Sequence, residues 1–309
     1  MKAGGGQRDP RAERRTGGRQ LLSGGQGDRT AVSFLGMEED HHEVIRREFS
    51  KQAPRFGGKG LALADPEHLQ WVVDNLDLRH HFDVLDVAAG TGHLSRAIAP
   101  CVRRVVALDL TPEMLLHGRR EAKDAGLTNI VFECGIAEGL PYPNESFDLV
   151  VSRFSIHHFE DPPIQIGEMA RVCRPGGRVA VIDLVSPDDA GLAATHNRLE
   201  RVRDLSHARA LSARELTIVV RNAGLKILRT VSREVEVSVD RWLDLTAVTT
   251  DRRRTIIEEF TQELNGLSTT GMRPFMRDNE LMLVQTWVIA VGVKPSRARD
   301  KLETPARKA

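Results

Sequence analysis

Two hydrophobic rhythms alternate along the chain. Leu69, Val72, Val73 and Leu76 recur at i, i+3, i+4 and i+7, which marks the core face of a helix that Asp65 and Pro66 start as cap and first helical residue. Val84, Leu85 and Val87 instead form a short apolar run, the pattern of a parallel strand covered on both faces. The same exchange predicts strands near 82–87, 104–110, 129–134, 147–152 and 178–184. Helices are expected over 92–100, 112–125 and 163–172. Such alternation implies right-handed crossovers, a parallel sheet and ligands at the carboxyl ends of the strands. A helix over 211–223 and strands over 226–235 and 281–293 follow, and no internal repeat is visible.

Candidate chemistry gathers where the first run breaks at Gly90 and Gly92. A loop without Cβ atoms lets a ligand lie against the backbone, so the turn points to a nucleotide or nucleoside. Asp86 precedes Gly90 by four residues, and a pyrophosphate would not tolerate that charge. The dinucleotide fingerprint also requires a third small residue where this chain has Ser95. Asp109 ends the second strand, 19 residues after Gly90, where an acid can chelate a ribose diol of NAD or of an adenosyl ligand. Asp109 thus argues for a ribose, while Asp86 and Ser95 argue against a pyrophosphate.

Asp86-Val-Ala-Ala-Gly90-Thr-Gly92 resembles the first motif of class I S-adenosylmethionine-dependent methyltransferases. Pro141-Tyr-Pro-Asn-Glu-Ser-Phe147-Asp148, His157-His158-Phe159-Glu160-Asp161-Pro162 and Arg171-Val-Cys-Arg-Pro175-Gly176-Gly177 follow in that family's order. They are similar to the branch of ubiquinone/menaquinone-biosynthesis-type (methyltransferase type 11) enzymes. The resemblance covers roughly residues 45–293. It implies a Rossmann-like, doubly wound α/β fold, a seven-stranded mostly parallel sheet with an antiparallel final strand, and helical insertions that form a lid. A methyltransferase domain over 37–293 is expected, with the acceptor site drawn from the N-terminal segment and from insertions at 184–210 and 236–280.

S-adenosyl-L-methionine is the cofactor the resemblance implies. The positions that match place it against Phe56, Asp86, Ala88, Gly90, Thr91, Gly92, Asp109, Leu110, Met114, Ile136, Ala137, Glu138 and Arg153. Two of them depart from the family's pattern. Phe56 stands for a tyrosine in Phe49-Ser-Lys51-Gln-Ala53-Pro-Arg-Phe56, the segment that covers the cofactor in this branch. Ile136 stands for the aspartate that takes the adenine amino group. His157 and His158 are the catalytic candidates, since an imidazole has the intrinsic pKa of a base where the acceptor must lose a proton. Core packing is the alternative for one of the pair. Asp161-Pro162 is expected to cap a helix and Pro175-Gly176-Gly177 to form a turn.

Composition changes this picture little. A net charge of +1 and 5% aromatic residues offer neither the phosphate electrostatics nor the stacking platforms of a nucleic-acid binder, and 40% hydrophobic residues suffice for a sizeable core. The partner expected is a small-molecule methyl acceptor, with no nucleic acid and no membrane, acting on a monomer or homodimer. Cys101, Cys134 and Cys173 lack CxxC spacing and fit buried thiols in a reducing, cytoplasmic setting. The adjacent pairs His41-His42 and His80-His81 lack the spacing of helical metal ligands, so no metal is expected. Residues 1–36, with Gly pairs and seven Lys/Arg against three acids, are expected to be a disordered tail, and 294–309 a basic one. Arg198, Arg201, Arg203, His207 and Arg209 crowd one insertion, as a solvated helix face or as a lid over a polar acceptor; Arg203-Asp204-Leu-Ser-His207-Ala-Arg209 resembles a segment of a bacterial methyltransferase subgroup. A nicotinamide-dependent reductase and a non-catalytic adenosyl-cofactor-binding protein remain as alternatives.

Overall fold

The structure is a computed structural model that describes residues 40–57 and 60–296; the expected tail 1–36 lies outside them, as does 297–309. The elements are α1 (His41–Gln52), α2 (Pro66–Asp74), β1 (Asp83–Val87), α3 (His93–Ile98), β2 (Arg104–Asp109), α4 (Pro112–Asp124), β3 (Ile130–Cys134) and β4 (Phe147–Arg153). Then come α5 (Pro162–Val172), β5 (Cys173–Val185), α6 (Ala190–Arg203), α7 (Ala213–Asn222), β6 (Lys226–Ser238), α8 (Val239–Leu245), α9 (Thr250–Leu264), β7 (Phe275–Arg277) and β8 (Glu280–Val293).

The strands form one sheet in the order β3-β2-β1-β4-β5-β8-β6. β1 to β5 pair in parallel, and the final strand β8 runs antiparallel to both β5 and β6. An eighth short strand, β7, pairs with β8 and was not foreseen, because three residues are too few to show a period. Every residue of β1 is buried, as a strand covered on both faces must be. Leu85 and Val87 join the cluster under α5 and α7, while Val84 packs with Val72, Leu76, Leu94 and Ile98 on the other face. The chain winds away from β1 in opposite directions through β2 and β4, so a crevice opens at their carboxyl ends.

Several local expectations are corrected. Pro175-Gly176-Gly177 is a bulge inside β5 rather than a turn before it, lying between the pairs Phe147↔Cys173 and Leu149↔Arg178. Gly176 takes φ +76, and a Cβ on Gly177 would stand 2.8 Å from the Asp148 carbonyl oxygen. Asp161 occupies the cap position of α5 without a side-chain cap bond, which leaves the fixed φ of Pro162 as the start signal. Asp65 does cap α2, accepting from the Glu67 and His68 amides. Only Cys173 is buried, its thiol pushed up to about 12 by burial; Cys101 is half-buried and Cys134 exposed. The basic C-terminal stretch begins inside the fold, where Lys294 Nζ donates to the carbonyls of Ala170 and Cys173 at 2.9 Å. Among the described residues no helix is long and apolar enough to cross a membrane.

Candidate functional site

The crevice is shaped by a loop in unusual backbone. Ala88, Gly90 and Gly92 follow β1 at φ +54, +57 and +74, the left-handed region that glycine adopts freely and alanine at a cost. The loop is held from β2. Asp109 Oδ2 accepts from the Gly90 amide at 2.7 Å, and its Oδ1 accepts from the Thr111 amide at 2.8 Å. Burial raises the Asp109 carboxyl, against which these amide donors act. A Cβ on Gly90 would meet the Phe56 ring at 3.7 Å, so that ring lies over the loop.

Asp86 sits at the end of β1, 1% exposed, and accepts from Ser95 Oγ at 2.6 Å. Burial pushes its carboxyl up to about 6, while Ser95 and Arg153 pull the other way. Arg153, ending β4, is lowered to about 10 by burial. Its Nη2 donates to the Leu63 carbonyl at 2.8 Å, and its buried Nη1 has no hydrogen-bond partner among the described residues. An acid and a guanidinium with unspent capacity therefore face one another across the crevice.

The helix α1 covers this cavity with Ile45 and Phe49, and three histidines pin the cover. His41 Nε2 donates to the His158 carbonyl at 2.8 Å, and His42 Nε2 lies 3.2 Å from Glu138 Oε1. His93 Nε2 donates to the Phe56 carbonyl at 2.9 Å. Of the residues singled out from sequence, Phe56, Asp86, Ala88, Gly90, Asp109, Leu110, Ile136, Ala137, Glu138, Arg153 and His158 line the cavity. Thr91, Gly92 and Met114 do not. Thr91 and Met114 are buried behind the loop, and Gly92 abuts Phe132, where a Cβ would come within 3.0 Å of the ring. Phe49 of the covering segment lines it too, and His42, Ile45, His93, Thr111 and Phe154 add to the wall unforeseen. Phe154 had a structural signal only, its φ of +55.

A second cavity abuts the first through a shared wall of Phe49, Phe56, Leu63, Phe154 and His158. It is lined from the N-terminal segment by Gln52, Leu61 and His68, from the insertion at 184–210 by Leu184, Arg203 and Asp204, and from the insertion at 236–280 by Glu236, Arg241, Trp242 and Leu245. His157 lines this second cavity and not the first. The insertion arginines are tied up within the fold: Arg198 with Glu259, Arg201 with the Ala208 carbonyl, Arg203 with Glu200 and Arg209 with Glu215. His207 is buried, its Nε2 paired with Asn197 Oδ1 at 2.8 Å.

Residues 84–177 match a family described as a methyltransferase domain. An uncharacterized methyltransferase of Bacillus subtilis, YcgJ, is 32% identical over 209 residues, which are 68% of this chain and 82% of that protein. A demethylmenaquinone methyltransferase of Listeria welshimeri is 31% identical over 52% of this chain and 71% of its own length. Among solved structures, a putative methyltransferase of Bacillus halodurans superposes with a TM-score of 0.69 at 26% identity, covering 74% of this chain and all of that one. With the crevice at the β1–β4 switch point and the acid-ended strands that shape it, these likenesses establish that the chain belongs to the class I S-adenosylmethionine-dependent methyltransferases.

Proposed function

We propose that the chain methylates a small-molecule acceptor, with the adenosyl cofactor in the first cavity and the acceptor in the second. The observation that carries this reading is the shared wall: the two cavities meet across five side chains, and the second is roofed by both insertions. When bound, S-adenosylmethionine supplies a methyl group on a sulfonium for in-line displacement, and the protein's part is alignment and exclusion of water, effects worth roughly 7–11 kcal/mol.

The residues present fit the cofactor. Asp109 keeps lone pairs beyond its two amide bonds for a ribose diol. Asp86 matches the α-ammonium of the methionine moiety, and the unpartnered Nη1 of Arg153 matches its carboxylate. Leu110, Ile136 and Ala137 give an apolar slot for the adenine, with Glu138 at its edge. Phe56 lies over Gly90 as a cap that keeps water out. His157 and His158 stand at the acceptor end as the groups able to hold or move a proton.

Calorimetry with S-adenosylhomocysteine, S-adenosylmethionine and NADH tests the reading. Both adenosyl ligands should bind and NADH should not. Gly90→Val should abolish binding, because a branched side chain at φ +57 is strained and points at Phe56. NADH binding in preference to the adenosyl ligands would replace this reading with a reductase.

A further inference from the structure

The cover over the first cavity is tied down at the end where it meets the glycine loop. Phe56 caps the short turn Ala53–Arg55 that follows α1, and its ring faces that of His93 at 6.4 Å with an interplanar angle of 24°. A phenylalanine side chain has no polar group to anchor it, so its place depends on packing and on its own backbone. The backbone tether is the Phe56 carbonyl, which accepts from His93 Nε2 at 2.9 Å. His93 is buried as the first residue of α3, directly after the glycine loop.

Arg96 sets which nitrogen of His93 carries the proton. Its Nη2 stands 3.0 Å from His93 Nδ1, and a guanidinium has donors only, so Nδ1 accepts and the ring proton lies on Nε2. Burial, with the charges of Arg153 and Arg96, lowers the ring to about 4, which keeps it neutral and able to accept at Nδ1. The same guanidinium donates from Nη1 to the Thr91 carbonyl of the glycine loop. Its Nη2 also pairs with Glu121 Oε2 on α4 at 2.8 Å. The Glu121 carboxylate in turn lies against the cover, where a Cβ on Gly57 would stand 2.6 Å from Oε1. Loop, cover and α4 are therefore joined through one guanidinium. The start of α1 is held separately, by His41 on the His158 carbonyl and His42 against Glu138.

We propose that His93 is a positioning residue for the adenosyl ligand: in the tautomer that Arg96 imposes, it latches the Phe56 backbone over the glycine loop and sets how long the ligand stays bound. This rests on the methyltransferase reading, which places that ligand in the first cavity, and deepens it. Phe56 caps the cavity only while its own backbone is held, and the cover must lift before a ligand beneath it can leave. Lifting breaks the bond from His93 Nε2 to the Phe56 carbonyl. Removing that bond therefore speeds departure and leaves Asp86, Asp109 and Arg153 where they are.

Two measurements on the full chain test this: surface plasmon resonance with S-adenosylhomocysteine, and amide hydrogen exchange without ligand. His93→Phe keeps an aromatic ring and loses the donor. S-adenosylhomocysteine should leave it about fivefold faster, as the loss of one neutral hydrogen bond predicts, with association no slower. Amides of the segment 50–57 should exchange about fivefold faster in the same variant, while those of β1, β2 and β4 keep their wild-type rates. His93→Gln, whose amide can still donate, should recover part of both effects. Arg96→Lys keeps the charge without the fork and should show both effects more weakly. Unchanged release and exchange in His93→Phe, slower association with unchanged release, or faster exchange spread evenly over the sheet would each overturn the proposal. Should thermal shift show that His93→Phe does not fold, Arg96→Lys decides by the same two readings, and no effect on either would overturn it there. Failure of the wild type to bind S-adenosylhomocysteine would instead overturn the reading beneath it, which exchange in the ligand-free chain does not depend on.

Discussion

Asp109 holds the glycine loop as well as lining the cavity proposed for the cofactor, and a motif cannot separate those roles. Asp109→Ala leaves the Gly90 and Thr111 amides without their acceptor, at about 1–3 kcal/mol for each that stays buried and unpaired. We therefore expect a lower melting temperature together with weaker S-adenosylhomocysteine binding. An unchanged melting temperature by thermal shift would show that water replaces the carboxylate. Ile136 poses the opposite case. At 39% exposure it is not locked in the core, so Ile136→Asp adds an acceptor at the proposed adenine edge without burying a carboxylate. Calorimetry should show up to about tenfold tighter S-adenosylhomocysteine binding with the melting temperature unmoved; weaker binding would mean that adenine is read by packing and backbone alone. Sequence placed Asp86, Ser95 and Asp109 as separate hints. It could not show that Ser95 donates to Asp86, because spacing alone does not say which way two side chains turn.

At the scale of elements, α4 lies so close to the glycine loop that Gly118 has no room for a side chain. Its Cβ would stand 2.6 Å from the Thr91 carbonyl oxygen and from the Phe132 ring. Gly118→Ala gains about 1 kcal/mol of helix propensity and loses typically 1–3 kcal/mol to overpacking against a backbone atom that cannot yield. The net expectation is a destabilised domain and weakened S-adenosylhomocysteine binding, read by urea unfolding and calorimetry; a stabilised variant would mean that α4 can shift outward. The strands that carry the site were legible, since a both-faces-buried strand writes its limits as an apolar run, as Val84 to Val87 do. The cover was legible only in part. The resemblance pointed to Phe49 and Phe56, but the contact of His41 with the His158 carbonyl joins residues 117 apart, beyond the reach of any local pattern. The second cavity likewise depends on three distant segments meeting, although each was singled out separately.

For the whole molecule, acid acts on stability and on binding through different groups. His93 and His158 are lowered from 6.5 to about 4, so below pH 6.5 the unfolded chain takes up protons that the folded one refuses, and stability falls as pH drops toward 4. At ~1.4 kcal/mol per pKa unit His93 can cost roughly 3 kcal/mol across that window, and His158 adds to it in the same direction. His196 and His207 act in the same direction. Asp86 opposes them: raised from 3.8 to about 6, it contributes stability at low pH that is lost as pH rises through that interval, and the raised His157 and Asp109 act likewise. The histidines outnumber these groups, and urea midpoints should fall between about pH 7 and about pH 5. The binding role proposed for Asp86 runs in the other sense. If its carboxylate meets the methionine ammonium, the ligand needs Asp86 ionised, and below about pH 6 affinity should fall by up to tenfold for each further unit. Asp86→Asn should be weak and flat over the same range. Calorimetry with S-adenosylhomocysteine at pH values above and below 6 measures this directly, since the ligand's own ammonium and carboxylate do not titrate between about 5 and 7. An affinity independent of pH in the wild type would place the ammonium on another partner and leave Asp86 as the residue that, through Ser95, fixes the start of α3.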